Sequence, residues 1–335
     1  MNTWIIIALI AFLSLLLTEL IRRYSLKKNL IDMPNERSSH TLPTPRGGGL
    51  SIVLIFLIAI NFIDPVDIEM VWALIGSGAL VAVVGFVDDM DHVAARWRLL
   101  SHFAAVSWVL YCLGGIPEFQ FFDLRINTGW IGLAVVTILL VWLLNLFNFM
   151  DGIDGIAASE TIFVASAGAY LCWLNGFEEL SYISLTLVAA TTGFLILNWP
   201  QAKIFMGDVG SGFLGLTTGV IAYASILHGM SAWVWLILLA VFLVDSGVTL
   251  LRRILNGEKW YEAHCSHAYQ HAAKKWGHKR VTISVIIINL FFLFPLAFLS
   301  HLKPDWGIVL TLLTFIPLII VAIKFKAGIT YTVNN

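Results

Sequence analysis

An all-α polytopic membrane protein is the fold class this sequence predicts. Of its 335 residues 59% are hydrophobic and only 12% charged. Mean hydropathy is +0.86. The apolar residues fall into runs of roughly 20, the length a helix needs to cross the hydrocarbon core of a bilayer. Eleven such runs start near residues 4, 47, 70, 99, 130, 156, 181, 211, 231, 281 and 306, with ten as the alternative count.

Taken in order, the first run extends from about Trp4 to Ile21 and is followed by Arg22 and Arg23 without a small-residue cleavage site, so it reads as a retained span rather than a signal peptide. Gly47-Gly48-Gly49 opens the second, and Asp88-Asp89 ends the third. Arg96 and Arg98 precede the fourth. The segment Asn145 to Gly155 straddles the fifth and sixth, and Asn198 to Gly212 leads from the seventh into the eighth. Arg252-Arg253 closes the ninth, Arg280 precedes the tenth, and Pro304 precedes the eleventh.

An alternating path through eleven spans puts Arg22, Arg23, Lys27, Lys28, Arg37, Arg46, Arg96, Arg98, Lys203, Arg252, Arg253, Lys259, Lys274, Lys275, Lys279, Arg280, Lys324 and Lys326 on one face. Only Arg125 and Lys303 of the 20 basic residues fall on the other. The positive-inside rule makes the first face cytoplasmic, with the N-terminus outside and the C-terminus inside. No repeat or linker divides residues 1–335, which read as one domain with a cytoplasmic His-rich loop at 251–280. Cys112 and Cys172 sit in apolar runs and Cys265 in that loop; three cysteines are too few for a disulfide scaffold and are expected as free thiols. A net charge of −1 gives no reason to expect a nucleic-acid partner.

The chemistry-bearing residues all lie on the basic face, placed directly against apolar helices, where a charge is costly and needs a reason. The loop Asp32 to Gly49 ends in helix-opening glycines with Arg37, His40 and Arg46 nearby. Such amides and cations can hold phosphate oxygens; the alternative is a positive-inside loop with a glycine helix start. Asp88 and Asp89 repel each other at a helix C-terminus, which a divalent cation relieves, unless they are surface acids paired with Arg96 and Arg98. In Asn148-x2-Asp151-Gly-x-Asp154-Gly155, a spacing of three makes the polar residues neighbours if the segment is helical. Asp208, between glycines, is a metal ligand or an N-cap. His264, His267 and His271 share a face if helical and suit phosphate binding or proton transfer, against a solvated basic helix. They lack the ligand set of a zinc site, and the carboxylate loops favour a hard cation.

These segments together resemble the polyprenyl-phosphate N-acetylhexosamine-1-phosphate transferase family (glycosyltransferase family 4). The motifs that carry the resemblance are Pro34-Asn35-Glu36-Arg37 through the glycines, Asp88-Asp89, Asn148-x2-Asp151-Gly-x-Asp154-Gly155, Phe205-Met206-Gly207-Asp208-x-Gly210-Ser211 and the last His-rich loop. They span nearly the whole chain. The resemblance implies transfer of N-acetylhexosamine 1-phosphate, or a 6-deoxy form, from a UDP-sugar to undecaprenyl phosphate with release of UMP. It implies a bacterial inner-membrane enzyme with its site toward the cytoplasm, dependent on Mg2+ with Mn2+ as the substitute, and it admits a homodimer. Asp88 and Asp89 would lie by the acceptor phosphate and metal, Asp208 would bind the metal with Asp88, and Asp151 and Asp154 would help form the nucleotide site. His264 and His267 would act catalytically. Spaced histidines, and Arg96-Trp97-Arg98 in place of a near lysine, make it similar to the branch that initiates O-antigen synthesis. A secondary transporter using the intramembrane acids Glu160 and Asp245 is the rival reading. The grouping of polar residues in loops on one face, and the absence of repeated halves, count against it.

Overall fold

The computed structural model describes residues 3–34, 39, 42–63, 66–91, 93–116, 118–121, 124–258 and 264–329. The chain is an all-α polytopic membrane protein. Its helices are α1 (Thr3–Lys27), α2 (Leu50–Ala59), α3 (Ile68–Met90), α4 (Ala95–Leu113), α5 (Gly129–Met150), α6 (Ile156–Leu174) and α7 (Glu178–Asn198). They continue with α8 (Asp208–Leu227), α9 (Ala232–Leu238), α10 (Ala240–Leu255), α11 (Ala268–Trp276), α12 (His278–Ile288), α13 (Phe294–Leu302) and α14 (Gly307–Lys324). Two antiparallel hairpins, β1 (Ile31–Asp32) with β2 (Thr44–Pro45) and β3 (Glu118–Phe121) with β4 (Leu124–Asn127), are additions that apolar periodicity does not reveal.

Each of the eleven apolar runs carries a helix, but they are not equivalent. Among the described residues, eight helices are long and apolar enough to cross a membrane, or nine if α9 and α10, bent by 75°, form one span. The segment Leu50–Phe62 is shorter. Helix α4, which starts with Arg96 and Arg98, is not one of the eight. The tenth run is α12 and α13 joined through a π-helical turn at Asn289–Leu293.

Helix α8 is the axis of the bundle. Its glycines and small residues let α3 and α5 pack against it, and nearly all of its length is buried. Helix α1, by contrast, leaves Trp4, Ile5, Phe12 and Leu20 exposed, as a lipid-facing helix does. Helices α6 and α7 pack together and α7 packs on α1. Close approach is most extreme where α2 begins. A Cβ on Gly49 would lie 2.4 Å from the Gly210 Cα, so the two chain segments touch backbone to backbone. The end of the bundle formed here collects the start of α2, the end of α3, the α5–α6 turn, the start of α8 and the α10–α11 segment.

Candidate active site

The floor of this end is built from neighbouring acids that face different ways. Asp89, the second-last residue of α3, is 9% exposed and turned inward. Its Oδ1 accepts the Asp208 N–H at 3.0 Å and its Oδ2 the Val209 N–H at 3.2 Å. These are amides that the first turn of a helix leaves without partners, and a carboxylate there also meets the positive end of the α8 dipole. The turn into α8 requires glycine: Gly207 has φ +76°, and a Cβ on it would lie 2.4 Å from Asp89 Oδ2. Asp88 turns the other way. It accepts the Val93 N–H at 2.7 Å and an Nη1 hydrogen from Arg98. The same Nη1 reaches Asp208 Oδ2 at 3.2 Å, so one guanidinium spans Asp88 and Asp208.

Asn148 on the last turn of α5 donates to Ser211 Oγ on α8 at 3.2 Å. Helix α5 stops two residues later, and Asp151 caps it with its N–H on Asn148 O at 3.3 Å. Burial, and then the charges of Asp208, Asp89 and Asp154, push the Asp151 carboxyl well above the usual carboxylate range. Asn148, Asp151 and Asp154 therefore do not lie along one helix, as a continuous helical reading of their spacing has it. The chain turns at Gly155, which has φ +73° and N-caps α6. Asp154 is directed to a different set of partners. Its Oδ2 accepts the Ala202 N–H at 3.1 Å, its Oδ1 faces His278 Nδ1 at 3.2 Å, and its carbonyl accepts the Thr282 hydroxyl at 3.0 Å.

The glycine amides expected to cradle a phosphate are already engaged. Gly48 N–H bonds Phe205 O and Gly49 N–H bonds Met206 O, both at 2.9 Å, which ties the start of α2 to the segment before α8. Arg46 lies near enough to act electrostatically on Asp89. Arg37 and His40 lie outside the described residues.

The histidines are not on one helical face. His264 precedes α11, His267 is its N-cap, and only His271 lies within it. The His264 and His267 rings stack with centroids 5.1 Å apart. Burial, then the charges of His267 and Arg253, lower the His264 imidazole to about 4, so it is neutral near pH 7. Tyr269 binds this element to the acid cluster through its hydroxyl, which donates to Phe149 O at 2.9 Å beside Asp151. The intramembrane acids of the transporter reading have local partners. Glu160 accepts from Asn289 Nδ2 at 2.6 Å across α6 and the π-helical turn, and Asp245 faces His267 Nδ1 at 3.2 Å.

Sequence reasoning assigned no role to Asn198 or His278. Asn198 is buried and accepts the Gly155 N–H at 3.0 Å while donating to Ile204 O at 2.9 Å. An asparagine ending an apolar helix just before Trp199-Pro200 was the available signal. His278 links Asp154 with Ser39 O, the latter at 2.9 Å, and its position directly after Gly277 at a helix start carried no comparable signal.

The donor set suits a hard cation. Among the described residues no three of His, Cys, Asp and Glu form a ready-made cage. That is compatible with Mg2+, which is held by one or two carboxylates together with water and substrate phosphates. The oxygens of Asp88 and Asp208, spanned by one cation already, are the pair placed to contribute.

Residues 71–226 match the family model described as glycosyl transferase family 4. The chain is 28% identical over 287 residues to the probable undecaprenyl-phosphate N-acetylglucosaminyl 1-phosphate transferase of Bacillus subtilis, covering 83% of this chain and 79% of that protein. It is 29% identical over 276 residues to the phospho-N-acetylmuramoyl-pentapeptide-transferase of Shouchella clausii, covering 74% and 81% respectively. The matched region contains Asp88, Asp89, Asn148, Asp151, Asp154 and Asp208, the acids and amides that meet at one end of the bundle, so the similarity to glycosyl transferase family 4 falls on the candidate site.

Proposed function

We propose that this protein transfers an N-acetylhexosamine 1-phosphate, or a 6-deoxy form, from a UDP-sugar to undecaprenyl phosphate and releases UMP. In this reading it starts an O-antigen or related cell-envelope glycan at the cytoplasmic face of a bacterial inner membrane. It spans that membrane eleven times, with α2, α4 and the bent α9–α10 pair added to the eight long helices and the N-terminus outside. The observation that carries the proposal is the convergence of Asp88, Asp208 and Arg98 beside Asp151 at one end of the bundle. The relatives' names supply the substrate class.

Donor diphosphate and acceptor phosphate bring several negative charges to this end. Mg2+ held by Asp208 and Asp88 would supply charge neutralisation at the transferring phosphoryl group. Arg98 is placed to take up phosphate charge beside it, with Arg46, Arg37 and His40 on the loop before α2 as further phosphate contacts. Asn148, Asp151 and Asp154 form the nucleotide side, Asp154 by fixing the turn that carries Asp151. Asp89 holds the start of α8 and with it Asp208. His264 and His267 meet the phosphates from the α10–α11 segment.

The acceptor needs little activation. A phosphate monoester has its second pKa near ~6, so at neutral pH it is mostly the nucleophilic dianion. Attack at the donor's β phosphorus in one step forms the new P–O bond as the bond to UMP breaks, and no phosphosugar–aspartate intermediate is required. The test is purified protein with undecaprenyl phosphate and a panel of UDP-sugars, with UMP followed. UMP release that depends on one UDP-N-acetylhexosamine, on the lipid and on Mg2+ is expected; release that ignores the lipid rejects the proposal.

A further inference from the structure

Asp245 is an acid inside α10, 6% exposed, that the reaction scheme above does not use. Its Oδ1 accepts the Ala268 N–H at 2.9 Å and the Thr249 hydroxyl at 3.2 Å, and its Oδ2 accepts the Tyr269 N–H at 2.9 Å. Three donors aimed at its two oxygens stabilise the ionised form, so the group acts as a carboxylate. Its remaining neighbour is His267 Nδ1, 3.2 Å from Oδ1.

We infer that Asp245 is a positioning residue for His267: it takes the Nδ1–H bond, fixes the tautomer and plane of the ring, and leaves Nε2 as the atom that exchanges a proton or holds a phosphate oxygen. The tautomer rests on the contact with Asp245 and the strength of that bond, whereas its use on phosphate rests on the proposed function.

A ring nitrogen facing a carboxylate serves as a donor, and the hydrogen bond at one imidazole nitrogen decides the role of the other. One competitor is present. His267 N-caps α11, and in that capping box the Gln270 N–H also faces the His267 side chain. A carboxylate bond is charge-assisted and about twice as strong as a neutral one, which favours the hydrogen on Nδ1.

The surroundings are built to hold this arrangement. Gln270 Oε1 accepts the His267 N–H at 3.1 Å. The segment after the last helix clamps the loop from behind: Gly328 N–H bonds Ser266 O at 2.7 Å, and Arg252 donates to Ala327 O at 3.0 Å. His267 itself is 3% exposed. The two histidines thus take separate parts, His264 staying neutral and stacked while His267 has an anionic partner.

The test combines histidine-selective 15N NMR of the full chain in bilayers with steady-state kinetics, on wild type, Asp245→Asn and Asp245→Glu. His267 is assigned by loss of its signals in His267→Gln. The wild-type ring should carry its hydrogen on Nδ1. Asp245→Asn should shift it toward the Nε2–H tautomer and lower kcat about 10²-fold, with KM for the UDP-sugar changed less than about twofold. Asp245→Glu should restore part of the Nδ1–H population and of kcat. A wild-type Nε2–H tautomer, or an Asp245→Asn protein with unchanged tautomer and kcat, overturns the inference. If Asp245→Asn does not fold, the wild-type spectrum still decides. A wild type with the Nδ1–H tautomer but no UMP release supports the tautomer assignment and rejects the proposed function instead.

Discussion

The two polar regions at this end of the bundle handle buried charge in opposite ways. At the α3–α8 junction acids face acids: Asp88 and Asp208 share one Arg98 nitrogen, and Asp151 is crowded by three further carboxyls. At the α10–α11 junction the acid Asp245 is surrounded by donors. An acid whose oxygens are taken by amides and a hydroxyl holds the scaffold, whereas carboxylates grouped around one guanidinium carry charge that a bound cation would neutralise. The same contrast recurs within adjacent residues: Asp89 accepts two amides of α8, whereas Asp88 accepts the Val93 N–H and shares the Arg98 guanidinium with Asp208.

Substitutions can break that contrast, and the largest effect belongs to the cation-poor acids. Asp208→Asn and Asp88→Asn should each lower kcat by about 10²- to 10³-fold, as loss of one electrostatic contact to a reacting group does. Their melting temperatures should stay near wild type. Near-normal turnover of Asp208→Asn would remove it from the reaction. Asp89→Asn should behave differently, with a clear loss of thermal stability measured by differential scanning fluorimetry. Bonds to a charged group contribute about 1.5–3 kcal/mol each, and this carboxylate holds two amides of α8. An Asp89→Asn protein as stable as wild type would show that the two neighbours do the same job.

The smallest expected effect concerns His264. Its folded value of about 4 lies below the ordinary histidine value of 6.5, because burial and the nearby His267 and Arg253 disfavour the charged ring. Between these values the unfolded chain binds more protons than the folded one, so this residue's contribution to stability rises with pH across that window and falls as pH drops through it. In 15N NMR its ring should remain neutral at pH 6. A ring that titrates near pH 6.5 would contradict the burial argument.

Much of this was legible in the sequence. Apolar runs identify the helices because lipid demands them, and the polar segments between the runs contain the acids that gather at one end of the bundle. What the sequence could not show depends on contacts distant along the chain. Nothing in the pair Asp88-Asp89 itself tells which acid turns inward; the arrival of α8, some 120 residues later, gives its first amides to Asp89 and leaves Asp88 to Val93 and Arg98. The three-residue spacing of Asn148, Asp151 and Asp154 suggested one helix, but α5 ends at Met150 and His278 from α12 engages Asp154. The glycines at 47–49 were read as open amides, yet the segment before α8 packs against them and takes two of their hydrogens. Asp245 drew attention as an intramembrane acid, and its partner became visible only when α10 was followed to the turn before α11.

In the proposed reaction phosphate moves together with the sugar. This is tested most directly with a UDP-N-acetylhexosamine labelled with 32P at the β position, incubated with purified protein, undecaprenyl phosphate and Mg2+, and then partitioned between organic and aqueous phases. The label should enter the organic phase in step with UMP appearing in the aqueous one. Label that stays in the aqueous phase as UDP while sugar enters the lipid would contradict it.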